Sequence, residues 1–288
     1  MYGAIIGDII GSIYEYDEFN NSEKGIIDLE RRLEILSKKE LIDDECFYSD
    51  DTILTIAILD SILNNSEYED KLKEYGVKYG KERLNKPNYF EYMFSPSFTK
   101  WCKGEKEGNS IGNGCMMRVS PIGFLFNSLE EVKENARLAT IPSHNNEKAI
   151  KSAIVVSSVI YMARTGMEKE KIKEHLKSEY EINLDYNLEK LQKTYLFDGT
   201  CNVLEICLYI LFLSNDYESA IRNAISIGGD TDTIACIVGG MAEALYGVPE
   251  YLVDLAKEKL PNEFLDLLEQ SKIVRCKEWN YEYWRTTK

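Results

Sequence analysis

Apolar residues at helical spacing dominate this chain and constrain its fold more than any other feature. After the polar turn at Ser49, apolar side chains recur at Ile53, Ile56 and Leu59, which is the spacing of one face of an α-helix. Similar runs continue along most of the 288 residues, and the alternating pattern of a half-buried strand is nearly absent. The pattern therefore predicts an all-α protein of roughly a dozen helices.

The chain also predicts one domain. Its length is sufficient for a substantial core, and with only 6 Pro it has no Pro/Gly/Ser-rich linker. We therefore expect residues 1–288 to form a single domain.

Charge and cysteine content restrict the partners and the compartment. Asp and Glu number 49 against 34 Lys and Arg, for a formal charge of −15, which argues against a broad nucleic-acid-binding face. Seven Cys without a CxxC pair favour a reducing compartment. No basic residue precedes Lys24 and no uncharged apolar run approaches about 18 residues. We expect a cytoplasmic monomer without membrane contact.

The first helix, predicted over residues 3–16, carries a glycine stripe. Gly3, Gly7 and Gly11 recur every four residues and so line one face. Because glycine weakens a helix, the stripe predicts close backbone approach to another helix. Asp8 within this segment is expected to be a buried, hydrogen-bonded structural residue. Glu15, near the end of the helix, is either solvated or directed into a site.

Two acidic stretches stand where polar turns lead into apolar helices. They are Ser49-Asp50-Asp51-Thr52 and Gly228-Gly229-Asp230-Thr231-Asp232-Thr233. Helix capping explains either stretch alone, although one capping side chain would be enough. If the two helix starts converge, four like charges crowd together, which is unfavourable unless cations intervene. Divalent ions bound by oxygen ligands are the simplest remedy.

Three further features could contribute to a site. Gly112-Asn113-Gly114 is a tight turn with available backbone N–H groups, although Asn-Gly turns are common. Arg118 is predicted to be a structural ion-pair partner. His144 is predicted to open a helix over 145–165, where capping and ligand contact remain equal alternatives. Since the only other histidine is His175, a histidine-based zinc site is not expected.

Local motifs exclude several other activities. Ser128 and Glu131 form a capping box for a helix predicted to end near Leu138. An EF-hand loop starting at Asp230 fails because Ile234 stands at its fifth position. Phosphatase chemistry at Asp230 would need a β-strand before it, and no βαβ alternation surrounds it.

In chain order, these runs resemble the ADP-ribosylglycohydrolase family, which includes dinitrogenase-reductase-activating glycohydrolase. The resemblance rests on the opening helix from Gly3 to Glu15, on two metal motifs and on two intervening segments. The last four read as Ser49-Asp-Asp-Thr52, Gly112-Asn-Gly-Cys-Met-Met-Arg-Val-Ser-Pro-Ile-Gly123, Ser143-His144-Asn145 and Gly228-Gly-Asp-Thr-Asp-Thr233.

The resemblance implies a compact orthogonal helical bundle around a central dinuclear site holding two Mg²⁺ or Mn²⁺ ions. Five carboxylates would contribute about −5 and the ions about +4, so the site would nearly neutralise itself. The implied metal ligands are Ser49, Asp50, Asp51, Asp230, Asp232 and Thr233. Glu15 or Asp51 would provide acid/base catalysis. The implied diphosphate contacts are Ser110, Gly112, Asn113, Gly114 and His144.

The implied reaction is hydrolysis of the bond between ADP-ribose and a protein side chain or small acceptor. The substrate would be an ADP-ribosylated protein or an ADP-ribose-containing small molecule. Ile111 stands where an aromatic residue is frequent in the family, and Asn145-Asn146 follows His144 where His-Pro is common. The alternative is a non-catalytic, ADP-ribose-binding or crystallin-like structural member of the family.

Overall fold

The computed structural model describes residues 1–15, 34–38, 40–80 and 93–278, with side chains to residue 273. This part contains fifteen α-helices, one 3₁₀ helix at Cys201–Val203 and no strand. In chain order the helices are α1 Tyr2–Glu15, α2 Asp50–Asn64, α3 Tyr68–Tyr79, α4 Pro96–Cys102, α5 Gly114–Met117, α6 Ser120–Leu125, α7 Leu129–His144, α8 Glu147–Arg164, α9 Lys169–Tyr180, α10 Leu188–Thr194, α11 Leu204–Leu213, α12 Tyr217–Ser226, α13 Thr231–Tyr246, α14 Glu250–Lys259 and α15 Asn262–Glu278.

The all-α prediction is confirmed, and the helices outnumber the predicted dozen because several, such as the four-residue α5, are too short to show a periodicity. Of the helix predicted over 24–39, residues 34–37 are helical and residues 24–33 and 39 lie outside the described residues. Among the described helices, none combines the length and the apolar character that crossing a bilayer requires.

Helices α1 and α13 form the centre of the fold and touch along their backbones. A Cβ atom at Gly7 would lie 2.0 Å from the Ala235 carbonyl oxygen, and one at Gly11 would lie 2.5 Å from Asp232 Cα. The Thr231 hydroxyl donates to the Gly11 carbonyl over 2.9 Å. The close approach predicted from the glycine stripe is confirmed, and it brings the start of α13 beside the last turn of α1, where Glu15 lies.

Asp8 on α1 caps the start of α2 from outside that helix. Its carboxylate accepts from the Ser49 amide at 2.9 Å, the Ser49 hydroxyl at 2.7 Å and the Thr52 amide at 3.0 Å. It also accepts from the Thr52 hydroxyl. The prediction of a buried, hydrogen-bonded Asp8 is confirmed. Helix α1 thereby positions the beginnings of both α2 and α13.

The end of α7 differs from the sequence prediction. The capping box of Ser128 and Glu131 is present, but α7 continues past Leu138 to His144, with Pro142 inside its last turn. His144 therefore ends a helix, and the prediction that it opens one was wrong. The next helix is capped by Asn146, whose side chain accepts from the Lys148 amide. Several residues of the polar run from Ser143 to Asn146 could serve as the cap. Which of them does so depends on the backbone conformation, which the sequence does not reveal.

Candidate active site

Both acidic stretches open onto one cavity of about 410 Å³. Of the twelve residues predicted to form the site, eleven line this cavity. They are Glu15, Ser49, Asp50, Ser110, Gly112, Asn113, Gly114, His144, Asp230, Asp232 and Thr233. Asp51 is buried behind the wall, with a relative exposure of 1%.

The two acidic stretches are in direct contact, which confirms that they converge. The Thr233 hydroxyl donates to Asp51 Oδ2 over 3.2 Å, across 182 positions of sequence. One oxygen each from Asp8, Asp51 and Asp232 lie within 4.8 Å of one another, and the same holds for Glu15, Asp230 and Asp232. Asp232 belongs to both groups and so stands at the junction of the acidic cluster.

Helix capping does not account for these carboxylates. Ser49 is the cap of α2, and its hydroxyl accepts from the Asp51 amide, which leaves Asp50 and Asp51 in excess of that need. Asp230 precedes α13 after two glycines with φ of 78° and 76°. Its side chain makes no capping bond and instead accepts from the Asn113 amide nitrogen at 2.7 Å.

Burial and mutual repulsion make the acidic cluster hold protons strongly. Burial, followed by the neighbouring charges of Asp8 and Asp50, raises the pKa of Asp51 well above its ordinary value. Burial and the Glu15 charge do the same for the pKa of Asp232. The pKa of Asp50 rises to about 8, because of burial and then the charges of Asp8 and Asp230. At neutral pH this cluster requires protons or cations.

The donor set fits a hard divalent cation. Among the described residues, Asp51 Oδ1 is a buried carboxylate oxygen with no hydrogen-bond partner, and an atom of this kind is costly unless it binds something positive. The ligand atoms at this wall are carboxylate and hydroxyl oxygens, which suit Mg²⁺ or Mn²⁺ better than softer metals.

The glycine turn forms a second wall of the cavity, and two of its amides are already engaged. The Gly112 amide donates to the Ser110 hydroxyl at 3.0 Å, and the Asn113 amide donates to the Gly199 carbonyl at 3.0 Å. The side chain of Asn113 reaches Asp230, a contact that sequence reasoning missed. The hydrogen bond from Asn113 to Asp230 therefore fixes the position of the turn relative to the acidic cluster.

Arg118 lies in the same wall, fully buried, and the prediction of a structural ion pair was wrong. Its Nη2 donates to the Ala139 carbonyl at 3.0 Å and to the Ser143 hydroxyl at 2.7 Å. Within the described residues no carboxylate pairs with it, and Nε and Nη1 have no partner. Burial lowers the pKa of this guanidinium to about 10. Sequence spacing cannot distinguish a neutral partner from an ionic one.

A third wall is aromatic. Phe94 and Phe98 have ring centroids 5.1 Å apart, and Phe98 and Trp101 are 5.4 Å apart. All three line the cavity together with Met93 and Phe47. The aromatic density of residues 87–98 was visible in the sequence, but without helical periodicity nothing indicated which way the rings face.

The fold and the acidic cavity agree with the comparisons to known proteins. A family model described as ADP-ribosylglycohydrolase matches residues 1–283. The chain belongs to the ADP-ribosylglycohydrolase family, which is a family of hydrolytic enzymes.

Among its relatives, ADP-ribosylhydrolase ARH3 of Gallus gallus is 23% identical over 86% of this chain and 84% of its own length. ADP-ribosylarginine hydrolase Tri1 of Pseudomonas putida is 25% identical, over 57% of this chain and 48% of its own length. A solved structure, "ADP-ribosylglycohydrolase-related protein complex", aligns with a TM-score of 0.63 at 19% identity, covering 95% of this chain and 94% of that one. This last likeness concerns the fold alone.

Proposed function

We propose that this protein hydrolyses the glycosidic bond between C1″ of ADP-ribose and a protein side chain or small acceptor, using two Mg²⁺ or Mn²⁺ ions. The observation that carries the proposal is the single cavity that joins the acidic cluster to the glycine turn and His144. Membership of the ADP-ribosylglycohydrolase family and the names of the relatives support the same substrate class.

The ions would be held by both acidic stretches. The ligands we assign are Ser49, Asp50, Asp51, Asp230, Asp232 and Thr233. Asp232 is the residue that both ions would share, because it belongs to both groups of close oxygens. When bound, divalent ions make water more acidic and orient sugar hydroxyls.

Glu15 is the residue we assign to proton transfer. Its carboxylate lines the cavity beside Asp230 and Asp232, whereas Asp51, the other candidate, lies behind the wall. Water attacks C1″ as the bond to the acceptor breaks. Glu15 takes the water proton and delivers it to the departing acceptor, so that no net proton is gained or lost. Positive charge develops on the ribose during this step, and the neighbouring carboxylates stabilise it.

The second wall would bind the diphosphate. Ser110, Gly112, Asn113, Gly114 and His144 line the same cavity as the acidic residues. Asn113 connects the glycine turn to the acidic cluster. Its turn would contact the diphosphate, and its side chain donates to Asp230 at 2.7 Å.

The test is release of ADP-ribose from arginine-linked and serine-linked substrates by the full chain with Mg²⁺ or Mn²⁺. Asp232→Asn should lower the rate roughly a thousandfold, because several kcal/mol of stabilisation is lost at about 1.4 kcal/mol per factor of ten. Asp254→Asn, on the exposed face of α14, is the matched control and should retain the rate.

Two results would contradict this proposal. Equal rates in Asp232→Asn and Asp254→Asn would remove the acidic cluster from the reaction. Binding of ADP-ribose without release from either substrate or from an ADP-ribosylated metabolite would favour the non-catalytic alternative. A difference between the arginine and serine linkages would identify the acceptor.

A further inference from the structure

Backbone hydrogen bonds fix the main chain on both sides of His144. The Ser110 amide donates to the Ser143 carbonyl at 3.2 Å, and the Asn145 amide donates to the Gly108 carbonyl at 2.6 Å. The ring directs Nε2 at the glycine turn, 3.6 Å from the position that a Cβ atom would take at either Gly112 or Gly114. No group of the described chain bonds to Nε2, and His144 lines the cavity.

The other ring nitrogen takes part in a chain of hydrogen bonds whose direction is determined. Arg118 Nη2 lies 2.7 Å from Ser143 Oγ, which in turn lies 2.8 Å from His144 Nδ1. A guanidinium only donates, so Ser143 Oγ accepts from Arg118. Among the described residues, Nδ1 of His144 is the remaining hydrogen-bond partner of Ser143 Oγ and therefore accepts its proton.

The reverse arrangement is unfavourable. If Nδ1 carried the proton and donated to Ser143, the Ser143 hydroxyl proton would be left without an acceptor. Ser143 is buried, with 4% exposure, and a buried unsatisfied donor costs about 1–3 kcal/mol. The doubly protonated ring is also disfavoured, since burial and then the Arg118 charge lower the pKa of His144 well below its ordinary value.

We propose that Arg118 and Ser143 form a one-way hydrogen-bond relay that holds His144 as the neutral Nε2–H tautomer, a fixed donor to a phosphate oxygen of the ligand. The identity of the ligand rests on the proposed function, whereas the tautomer does not. Arg118 and Ser143 are positioning residues, and His144 is the group that contacts the ligand.

The relay would supply a hydrogen-bond donor for an anionic ligand in a cavity that has few free donors. The chain carries a net charge of −15, and the Gly112 and Asn113 amides are already used inside the protein. An Nε2 lone pair at this point would repel phosphate oxygen, whereas an N–H group attracts it. The Arg118 charge behind the serine strengthens that attraction without meeting the ligand directly.

The tautomer can be read directly by nitrogen-15 NMR of the imidazole rings near neutral pH. The chain contains two histidines, and His175 on α9 is an internal reference, because within the described residues its ring packs edge-on against Tyr180 at 6.2 Å and its Nε2 makes no hydrogen bond. We expect Nε2 of His144 to carry the proton and Nδ1 to carry none. Added ADP-ribose should shift the Nε2–H resonance of His144 and leave His175 unchanged.

The variants test whether Ser143 controls the tautomer. Ser143→Ala should give a mixture of tautomers and weaken ADP-ribose binding about tenfold, through loss of one charge-assisted relay. Ser143→Thr retains the hydroxyl and should restore the single tautomer and the affinity. Ser271→Ala removes another buried helical hydroxyl, bonded to the Leu268 carbonyl, and should change neither. Circular dichroism confirms that each variant is folded.

The relay would be overturned by a proton on Nδ1 of His144 in the unchanged protein, or by an unaltered tautomer in folded Ser143→Ala. If the tautomer is as expected but ADP-ribose leaves the His144 resonances unmoved, the ligand assigned by the proposed function is wrong while the relay stands. The NMR result therefore separates the failure of one proposal from the failure of the other.

Discussion

Two walls of the same cavity bury charge in opposite ways. Asp232 lines the acidic wall, with Asp8 and Asp51 buried outside the lining, and one oxygen of each of the three lies within 4.8 Å of the other two. In the described residues no cation pairs with any of them. The other wall buries the guanidinium of Arg118 on neutral partners alone. Ordinary folding would pair such charges with one another.

Because the negative and positive charges are buried at separate walls, each wall can attract a group of the opposite charge. The acidic wall attracts cations, and the arginine wall attracts an anion such as a diphosphate. Groups arranged before the ligand arrives need little rearrangement during the reaction. We propose that the folding stability given up by burying these unpaired charges serves ligand binding, and the following predictions test this.

Among the variants that follow, the largest effect is expected at Glu15, where we place proton transfer. Glu15→Gln should lower the rate of ADP-ribose release about a hundredfold to a thousandfold, the range typical of a lost general acid–base group. The increase in melting temperature on adding Mg²⁺ should remain, because the other acidic residues are intact. Loss of that increase together with the rate would make Glu15 a ligand and not a proton carrier.

Asp8 should affect stability and activity together. Asp8→Ala leaves the amides of Ser49 and Thr52 without their acceptor, so the free energy of unfolding with Mg²⁺ should fall by roughly 3 kcal/mol. Activity should fall about tenfold to a hundredfold, as for other residues that orient ligands. Urea denaturation and turnover measure the two effects.

The control for Asp8 is a second helix cap, Ser128, remote from the cavity lining. Ser128→Ala should cost about 1 kcal/mol and leave turnover unchanged. An equal loss of turnover in both variants would mean that Asp8 acts through general stability alone.

The raised pKa values at the acidic wall also predict how the stability of the protein depends on pH when a chelator keeps metal ions away. The folded-state pKa of Asp50 is raised to about 8 from its ordinary 3.8, so the folded state binds protons that the unfolded state releases. Its contribution to stability is therefore present at low pH and is lost as pH rises from about 4 to 8. Melting temperatures in chelator should fall across that window, and Mg²⁺ should reduce the fall. Asp232→Asn should flatten the profile, and a wild-type profile that rises instead would contradict the contrast between the walls.

The smallest effect is expected from Arg118→Met. Replacing a buried, unpaired cation with an apolar side chain of similar length is often neutral, so the free energy of unfolding should change by about 1 kcal/mol or less. ADP-ribose affinity should nevertheless fall. A loss of stability comparable to that of Asp8→Ala would show that the guanidinium is primarily structural.

Features repeated along the chain could be predicted from the sequence. The glycine stripe predicted that α1 packs closely against another helix, which is α13. The two acidic helix starts indicated one shared site on the condition that they converge, and the contact of Thr233 with Asp51 fulfils that condition. The first inference relies on helical periodicity and the second on carboxylates in excess of what capping needs.

Long-range contacts that no repeated pattern announces could not be predicted. The Asn113 contact with Asp230 spans 117 positions, and no local pattern indicates it. His144 was placed at the wrong end of a helix, because consecutive polar residues are equivalent as caps until the backbone chooses one. Arg118 was expected to have an ionic partner, since burial without one is rare.

The crossing of α1 and α13 has a consequence for how much change the proposed active site tolerates. Gly11 rests on the main chain of Asp232, where a methyl group would come within 2.5 Å of Cα. The distance between Glu15, which ends α1, and Asp232, in the first turn of α13, is thus set by contact between the two main chains. No flexible side chain lies between them to absorb a change. A larger residue at position 11 would push the two helices apart and change that distance. The reaction rate could therefore fall without the change of any polar group.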